Sequence, residues 1–472
     1  MFERNFKFIL GMPELNFKFI LGMPEEVRDQ FNQCVKIFNK HINANAVKSR
    51  YYEGKIPLSE VNLGIALPDS LLGLEMDCGW GGQAVDVLAE RSIFDGFVGE
   101  NGGDVELITQ IAKRNKLLSE YPKATTTELE FGCVFATLSA DDNKKARIRF
   151  HSPETAAAKY NGELGRIECG LAIIDTIMSG GRELVSVINF YNSTSIWVLK
   201  RIADTQTFKA EEFPHKMGRP LMEPMVWNAT DRKPLGRSRL KAPQRGLIKG
   251  FVRTICNATI GLEFATSPQK YLLGISDEQY DAIISQKFKQ YVGSILAATR
   301  DPESGQVPEF GQLDQGNISS HIQMLKALAT QFSAITGLSS NDVGVIEEAN
   351  PTSSDAIEAQ SKKLVSLAEK LNKGNGESLT QIMLMALAIE KNVSFDELTE
   401  EDKAIMPHFK NPMMPSIAST ADAALKIASA RPGFGQTDVF LEMVGFSQSD
   451  IRRINAQQAK ARGLQVLTKI EE

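Results

Sequence analysis

Few residues in this sequence have the spacing that covalent or metal chemistry requires. The five histidines never come within metal-ligand spacing of one another or of a cysteine. We therefore expect each histidine to be a surface residue or a hydrogen-bonded core residue, and not a ligand or a base. The SxxK sequences at Ser238 and Ser267 lack the SDN and KTG elements of acyl-transfer enzymes. The glycine turn at Gly433 lacks the third glycine and the preceding strand of a dinucleotide site, and no GxxxxGK[ST] loop occurs. The sequence therefore predicts a protein that is not an enzyme and has no cofactor and no metal site.

The clearest charge feature is a basic segment. Between Arg232 and Leu262 there are eight basic residues and no acidic one. Two interpretations stay open. The segment is either a solvent-exposed helix face preceded by basic residues, or an electrostatic patch for phosphate or for an acidic partner surface. The candidate patch consists of Arg237, Arg239, Lys241, Arg245, Lys249 and Arg253.

An acidic loop follows about a hundred residues later and opens into a long polar helix. The loop contains Asp342, Glu347 and Glu348 and no basic residue, so it would repel DNA. In the helix, Ile357, Leu364 and Leu371 fall seven residues apart with Ala368 between them. Such a narrow apolar seam predicts packing along one line, with wide flanks in water or at a polar interface.

The elements around these features change character along the chain. From Glu26 to about Tyr121 the pattern is helical, most clearly over 84–97, and the stretch 183–202 then predicts a hairpin that turns at Asn192 and Ser193. The N-terminal half is therefore expected to be α+β. After Pro234 the pattern is almost wholly helical, apart from a proline- and glycine-interrupted stretch over 267–316.

Three helices of this second half have clear limits. The first begins near Pro243 and ends before Pro268, with an apolar stripe at helical spacing. The second runs from near Ser320 to Gly337, and the third is capped by Ser353 or Ser354. Further helical predictions cover 277–299 and a final helix that Ser447 caps and that ends near Gly463, after a proline-rich linker at 405–416.

Composition limits the class of protein. The 472 residues have a net charge of -5, which argues against a general basic surface for nucleic acid. Five scattered cysteines suggest neither a disulfide framework nor a thiolate site, and no apolar run approaches a membrane span. We therefore expect a soluble protein made inside the cell. The decapeptide NFKFILGMPE occurs twice, at 5–14 and 16–25, and a local duplication or cloning scar explains it better than a functional repeat.

Seven stretches in a fixed order resemble the portal proteins of tailed bacteriophages, in particular the family common in long-tailed phages of Gram-positive hosts. Each is weak alone, but together they span roughly Tyr51 to Glu390. In chain order they are YYEGKIPL (51–58), GWGGQAVDVLAERSIFDGF (79–97), PHKMGRPLMEPMVWN (214–228), GRSRL (236–240), SPQKYLLG (267–274), HIQMLKALATQFSAITGL (321–338) and NPTSSDAIEAQSKKLV (350–365).

This resemblance implies a mixed α+β, mainly helical portal fold, assembled as a ring of about twelve copies at one capsid vertex. Double-stranded DNA would pass through the central channel during packaging and ejection. The implied partners are the terminase large subunit, then the head-to-tail adaptor, and the major capsid or scaffold protein, with no membrane. The implied location is the virion, after assembly in the host cytoplasm.

The resemblance also implies a division of the chain. The expected parts are an N-terminal wing (1–236), first stem helix (237–266), clip (267–316), second stem helix (317–338), tunnel loop (339–353), tunnel helix and return to the wing (354–404), linker (405–416) and helical crown (417–472).

Two sets of site residues follow from the same resemblance. The tunnel loop would line the DNA channel, and the seam of the following helix, Ile357, Leu364, Ala368 and Leu371, would contact the next subunit. The expected channel residues are Asn341, Asp342, Val343, Val345, Ile346, Glu347 and Glu348. The alternative is a non-enzymatic helical scaffold or adaptor of a virion that does not conduct DNA.

Overall fold

The structure is a computed structural model. It describes residues 15, 17, 19–57, 77–99, 106–202, 205–266, 270–273, 307, 309–312, 318–344, 354–413, 417–431 and 433–471.

The described chain contains helices and strands in both halves. The helices are α1 (Glu25–Tyr52), α2 (Trp80–Ala89), α3 (Glu106–Arg114), α4 (Leu117–Phe131), α5 (Ala242–Thr266), α6 (Ser319–Thr336), α7 (Ser354–Lys391), α8 (Glu400–Lys403), α9 (Ile417–Ala430), α10 (Asp438–Val444) and α11 (Gln448–Glu471). The strands are β1 (Phe19–Leu21), β2 (Phe94–Gly99), β3 (Cys133–Ala140), β4 (Ala146–His151), β5 (Ala156–Asn161), β6 (Arg166–Ser179), β7 (Arg182–Tyr191), β8 (Ser195–Arg201), β9 (Thr207–Pro214), β10 (Met222–Val226), β11 (Lys270–Leu273), β12 (Glu309–Gln312) and β13 (Ile405–Phe409).

The largest sheet has six strands in the order β1-β9-β8-β7-β6-β5. Strands β5 to β9 form an antiparallel meander, and β1 adds to its edge in parallel with β9. Helix α1 packs on this sheet through Phe31, Cys34 and Phe38, which recur at helical spacing and are buried. The second copy of the duplicated decapeptide supplies β1 and so belongs to the fold, whereas the first copy lies outside the described residues.

A second core forms around the C-terminal half of α7. Ile382, Met383 and Met385 of this helix are fully buried beside the three-stranded sheet β10-β3-β4 and helix α4. Helix α7 also lies against β13, which pairs antiparallel with β2. Segments more than 270 residues apart in sequence therefore share one core.

The described residues divide into two compact units. One lies within 1–54, 79–245 and 333–472, and the other within 55–78 and 246–332. In the second unit, α5 and α6 approach closely, because a Cβ atom added to Gly250 would lie 3.3 Å from the Leu328 side chain. The antiparallel pair β11 and β12 also falls within this unit.

Several predicted elements are confirmed. Helices α5 and α6 have the predicted limits within two residues, and α7 begins at Ser354 as expected. Strands β7 and β8 form the predicted hairpin around Asn192. The Ser447 hydroxyl accepts a hydrogen bond from the Asp450 backbone N–H at 3.2 Å, which confirms the cap of α11. The predicted helix over 277–299 lies outside the described residues.

Other predictions about the elements were wrong. The helical pattern over 84–97 breaks at Ala89, and Phe94–Gly99 is strand β2 because it pairs with β13. The same pairing makes the first five residues of the predicted linker 405–416 a strand. Helix α4 continues past Tyr121 to Phe131, with Pro122 inside it, and α11 runs through Gly463 to Glu471.

Candidate functional site

The start of the predicted tunnel loop is a tight 3-10 turn at Asn341–Val343. The Asp342 carboxylate accepts a hydrogen bond from the Ser339 N–H at 2.8 Å, and the Ser339 hydroxyl accepts one from the Asp342 N–H at 3.3 Å. Gly344 then turns the chain at a φ of 79°, a conformation that favours glycine. This reciprocal arrangement holds Asp342 in the turn and leaves Asn341 exposed.

Val343 is placed differently from its predicted role. Its side chain is buried, at 6% exposure, and the turn lies beside α2. The prediction that Val343 supplies an apolar contact to a channel is therefore corrected, because the chain itself already covers this side chain. Val345, Ile346, Glu347 and Glu348 lie outside the described residues, so their channel role stays a prediction.

The apolar seam of α7 is occupied within the chain. Leu364, Ala368 and Leu371 are 3%, 0% and 2% exposed. Residues so deeply covered offer no surface to a second subunit, so the predicted subunit contact is wrong for these three. The side chain of Ile357 is outside the described part of the structure, and for it the prediction stands. A seam of this kind has the same appearance in sequence whether its partner is the same chain or another one.

The GRSRL stretch at the start of the basic segment docks on the end of α4. The Arg239 N–H donates to the Leu129 carbonyl at 2.9 Å, and the Arg237 N–H donates to the Trp227 carbonyl at 3.0 Å. Gly236 is required here, because a Cβ atom would lie 2.3 Å from the Gly132 carbonyl oxygen. The backbone of this stretch therefore belongs to the packed fold and not to an exposed arm.

Arg239 acts as a buried clamp. Its Nη2 donates to the Thr336 carbonyl at 2.8 Å, and its Nε donates to the Ala84 carbonyl. Burial lowers the pKa of Arg239 to about 10. This side chain connects the residues that precede α5 to α2 and to the C-terminal end of α6. The sequence pattern did not predict this role.

The other basic residues have separate environments. Arg237 donates from Nη2 to the Thr230 hydroxyl at 3.3 Å, and the Arg245 guanidinium lies 5.8 Å from the centre of the Tyr51 ring. Lys241 and Arg253 are exposed, and Lys249 is half-buried. Part of the candidate patch is therefore structural, and the rest lies at the surface. The solvated helix face and the electrostatic patch both stay predictions for these surface residues.

A buried polar network was missed by sequence reasoning. The Asn375 amide donates to the Glu128 carboxyl at 2.8 Å and to the Tyr121 hydroxyl at 3.0 Å. Ser92 shares a hydrogen bond of 2.6 Å with Tyr121 and donates to Asn372 Oδ1 at 2.6 Å. The network joins α4, α7 and the residues after α2. Two asparagines three residues apart on one helix were the only sequence signal.

His151, at the end of β4, has a structural environment. Burial, with a contribution from Arg149, lowers the pKa of His151 to about 4, and its Nε2 lies 2.9 Å from the Thr137 hydroxyl.

Within the described ranges, no group of histidine, cysteine, aspartate and glutamate side chains is arranged to hold a metal ion. No helix among the described residues is long and apolar enough to span a membrane.

The chain is similar in sequence to two proteins named portal protein. The chain is 24% identical over 459 residues to the protein named portal protein of Mycobacterium phage D29, covering 93% of this chain and 90% of that protein. It is 25% identical over 423 residues to the portal protein of Mycobacterium phage L5, covering 86% and 84%. The resemblance to phage portal proteins predicted from the seven ordered stretches is thus confirmed. No family model matches the chain.

Similar solved structures come from gene transfer agent (GTA) particles. A chain of the virion of the native GTA particle has a TM-score of 0.46 and 11% identity, covering 78% of this chain and 89% of that one. A chain of the neck of the native particle, computed with C12 symmetry, has a TM-score of 0.44 and 9% identity, with the same coverage.

Proposed function

We propose that this chain is the portal protein of a tailed phage, a subunit of a ring at one capsid vertex through which double-stranded DNA passes. The observation that carries the proposal is the similarity to two proteins named portal protein, collinear over 93% and 86% of this chain. Similarity of that extent covers both described units rather than one shared module. The role is structural, and the proposal assigns no reaction to the chain.

The proposed parts follow the chain order. The sheet-rich region to 236 is the wing, and α5 and α6 are the stem helices around the clip at 267–316. Helix α5 has 25 residues, which gives a rod of about 37 Å at 1.5 Å per residue. The loop 339–353 faces the channel, α7 is the tunnel helix, and α9 to α11 form the crown. The clip is the proposed docking surface for the terminase large subunit and later the head-to-tail adaptor.

The charge of the loop suits passage rather than retention. A surface that holds DNA neutralises phosphates with lysine and arginine, and each such contact adds to the affinity. Asp342, Glu347 and Glu348 carry the opposite charge, and no basic residue occurs over 339–353. Repeated around a ring, these residues would surround DNA without binding it.

Of the seam residues of α7, only Ile357 is retained as a proposed subunit contact.

Location in the virion provides the test. Purified virions are labelled with gold-conjugated antibodies against this chain after mild opening of the head, and inspected by electron microscopy. A portal protein gives one cluster of label per particle, at the junction of head and tail. Label spread evenly over the head surface would instead indicate a capsid or scaffold component and would refute the proposal.

A further inference from the structure

A small pocket with a strongly cationic wall lies in the larger unit, next to the start of α5. Its volume is about 250 Å³. This is smaller than the roughly 300–1,000 Å³ of pockets for drug-sized ligands, so its size fits a small group. The lining residues are Trp227, Asn228, Arg239, Lys241, Gln244, Ile335, Thr336, Lys363, Leu367 and Lys370.

The wall carries four basic side chains and no carboxylate: Arg239, Lys241, Lys363 and Lys370. Arg239, Lys363 and Lys370 donate hydrogen bonds to neutral groups. Lys370 Nζ donates to Asn228 Oδ1 at 3.1 Å and lies 5.8 Å from the centre of the Trp227 ring. Lys363 Nζ donates to the Ala334 carbonyl. Neutral partners orient these groups but leave their positive charge uncompensated.

The potential in the pocket is positive enough to act on Lys241. Partial burial lowers the pKa of this lysine first, and the nearby charges of Arg237, Arg239 and Lys370 lower it further. An anion in the pocket would relieve this repulsion.

The N-terminal end of α5 adds to the positive potential in the pocket. This helix begins at Ala242, between the lining residues Lys241 and Gln244, and its first turn contains no acidic residue. The first N–H groups of a helix lack intrahelical partners and carry partial positive charge. Helix start and lysine cluster therefore favour a negative group at one place.

We propose that this pocket binds a phosphate group. A phosphate carries up to about two negative charges and three strong acceptor oxygens, which suits several separate cationic donors better than the single charge of a carboxylate. The phosphate could come from a small soluble molecule or from a nucleic-acid backbone, since the recognised chemistry is the same. This inference goes beyond the proposed portal role and does not depend on it.

The test is calorimetric titration of inorganic phosphate into the purified full-length protein at constant ionic strength. Lys241→Gln combined with Lys370→Gln should weaken phosphate binding by at least about tenfold, since two charge-assisted contacts are lost. Lys362→Gln with Lys373→Gln is the matched control, because both side chains are exposed on α7, outside the pocket, and the same charge is lost. The control should bind within about twofold of the unmodified protein.

Lys241→Gln alone separates a loss of phosphate binding from a loss of folding. The Lys241 side chain is exposed, and its removal leaves the buried hydrogen bonds of Arg239 in place. This variant should still weaken phosphate binding severalfold. Absence of phosphate binding to the unmodified protein, or equal losses in the pocket and control variants, would overturn the inference. A short DNA duplex titrated in parallel identifies the source: competition with phosphate indicates a backbone phosphate, and its absence a small soluble one. Neither result bears on ring formation, so the portal proposal is tested separately.

Discussion

At the scale of single residues, Glu128 is a carboxyl side chain within the described core. It is fully buried in α4, and its carboxyl accepts a hydrogen bond from the Asn375 amide. Burial raises the pKa of Glu128 to about 8, although the hydrogen bond from Asn375 lowers it somewhat. At neutral pH the carboxyl is therefore mostly protonated, so the core does not have to hold an unpaired charge.

This burial predicts a specific dependence of stability on pH. The folded state holds the proton of Glu128 more tightly than the unfolded chain, whose glutamates titrate near 4.5. The stabilisation is fully present below about pH 4.5 and is lost as the pH rises through about 8. Glu128→Gln should remove this loss, and at pH 7 its free energy of unfolding should exceed that of the unmodified protein by on the order of 3 kcal/mol.

Urea unfolding at pH 6, 7 and 8 measures the effect. Glu120→Gln, a partly exposed position in the same helix, is the control and should keep the slope of the unmodified protein. Glu130 also has a pKa raised to about 8, chiefly by burial, so some slope should persist in the Glu128 variant. Parallel pH profiles for Glu128→Gln and the unmodified protein would contradict a protonated Glu128.

At the scale of elements, the burial of the α7 seam leads to a prediction about Leu371. Leucine-to-alanine changes in a core cost about 2–5 kcal/mol. Leu371→Ala should therefore lower the melting temperature by the same amount at every protein concentration, because the lost contacts lie within one chain. Scanning calorimetry over a hundredfold range of concentration provides the measurement.

Leu425→Ala is a suitable comparison, because this leucine of α9 is 60% exposed and should have little effect. A Leu371→Ala defect that disappeared as concentration rose would restore the original assignment of the seam to a subunit contact.

The acidic loop gives the second prediction at this scale. Glu347→Lys combined with Glu348→Lys places positive charge where the proposed channel meets phosphates, so packaged DNA should fall at least about tenfold while rings still form. Nuclease-protected DNA in assembled heads is the readout. The control is Glu369→Lys with Glu377→Lys, which makes the same charge change at exposed positions of α7. Normal packaging by the loop variant would count against the channel assignment.

The elements that the sequence predicted correctly depend on local signals. Pro243 and Pro268 mark the limits of α5, and the apolar runs on either side of Asn192 specify the hairpin. Strand β2 was missed because its partner β13 lies some 300 residues away, and pairing at such a distance leaves no periodicity in the neighbouring sequence. The hydrogen-bonded burial of Glu128 was missed for the same reason, since its partner Asn375 lies on α7, far along the chain.

At the scale of the whole molecule, the order of seven weak stretches predicted the resemblance to phage portal proteins, and the two mycobacteriophage relatives confirm that resemblance over most of the chain. The same order did not predict which residues act. Its GRSRL stretch serves the packing of Arg239, and its α7 stretch begins a helix whose seam the chain covers itself. Packing and function leave similar patterns in one sequence, so the resemblance was easier to predict than the site.

The most direct measurement of the central claim is the mass and shape of the purified particle, by native mass spectrometry with negative-stain microscopy. The account predicts rings of about twelve copies of the 52.0 kDa chain with a central hole. A compact dimer without a hole would contradict it.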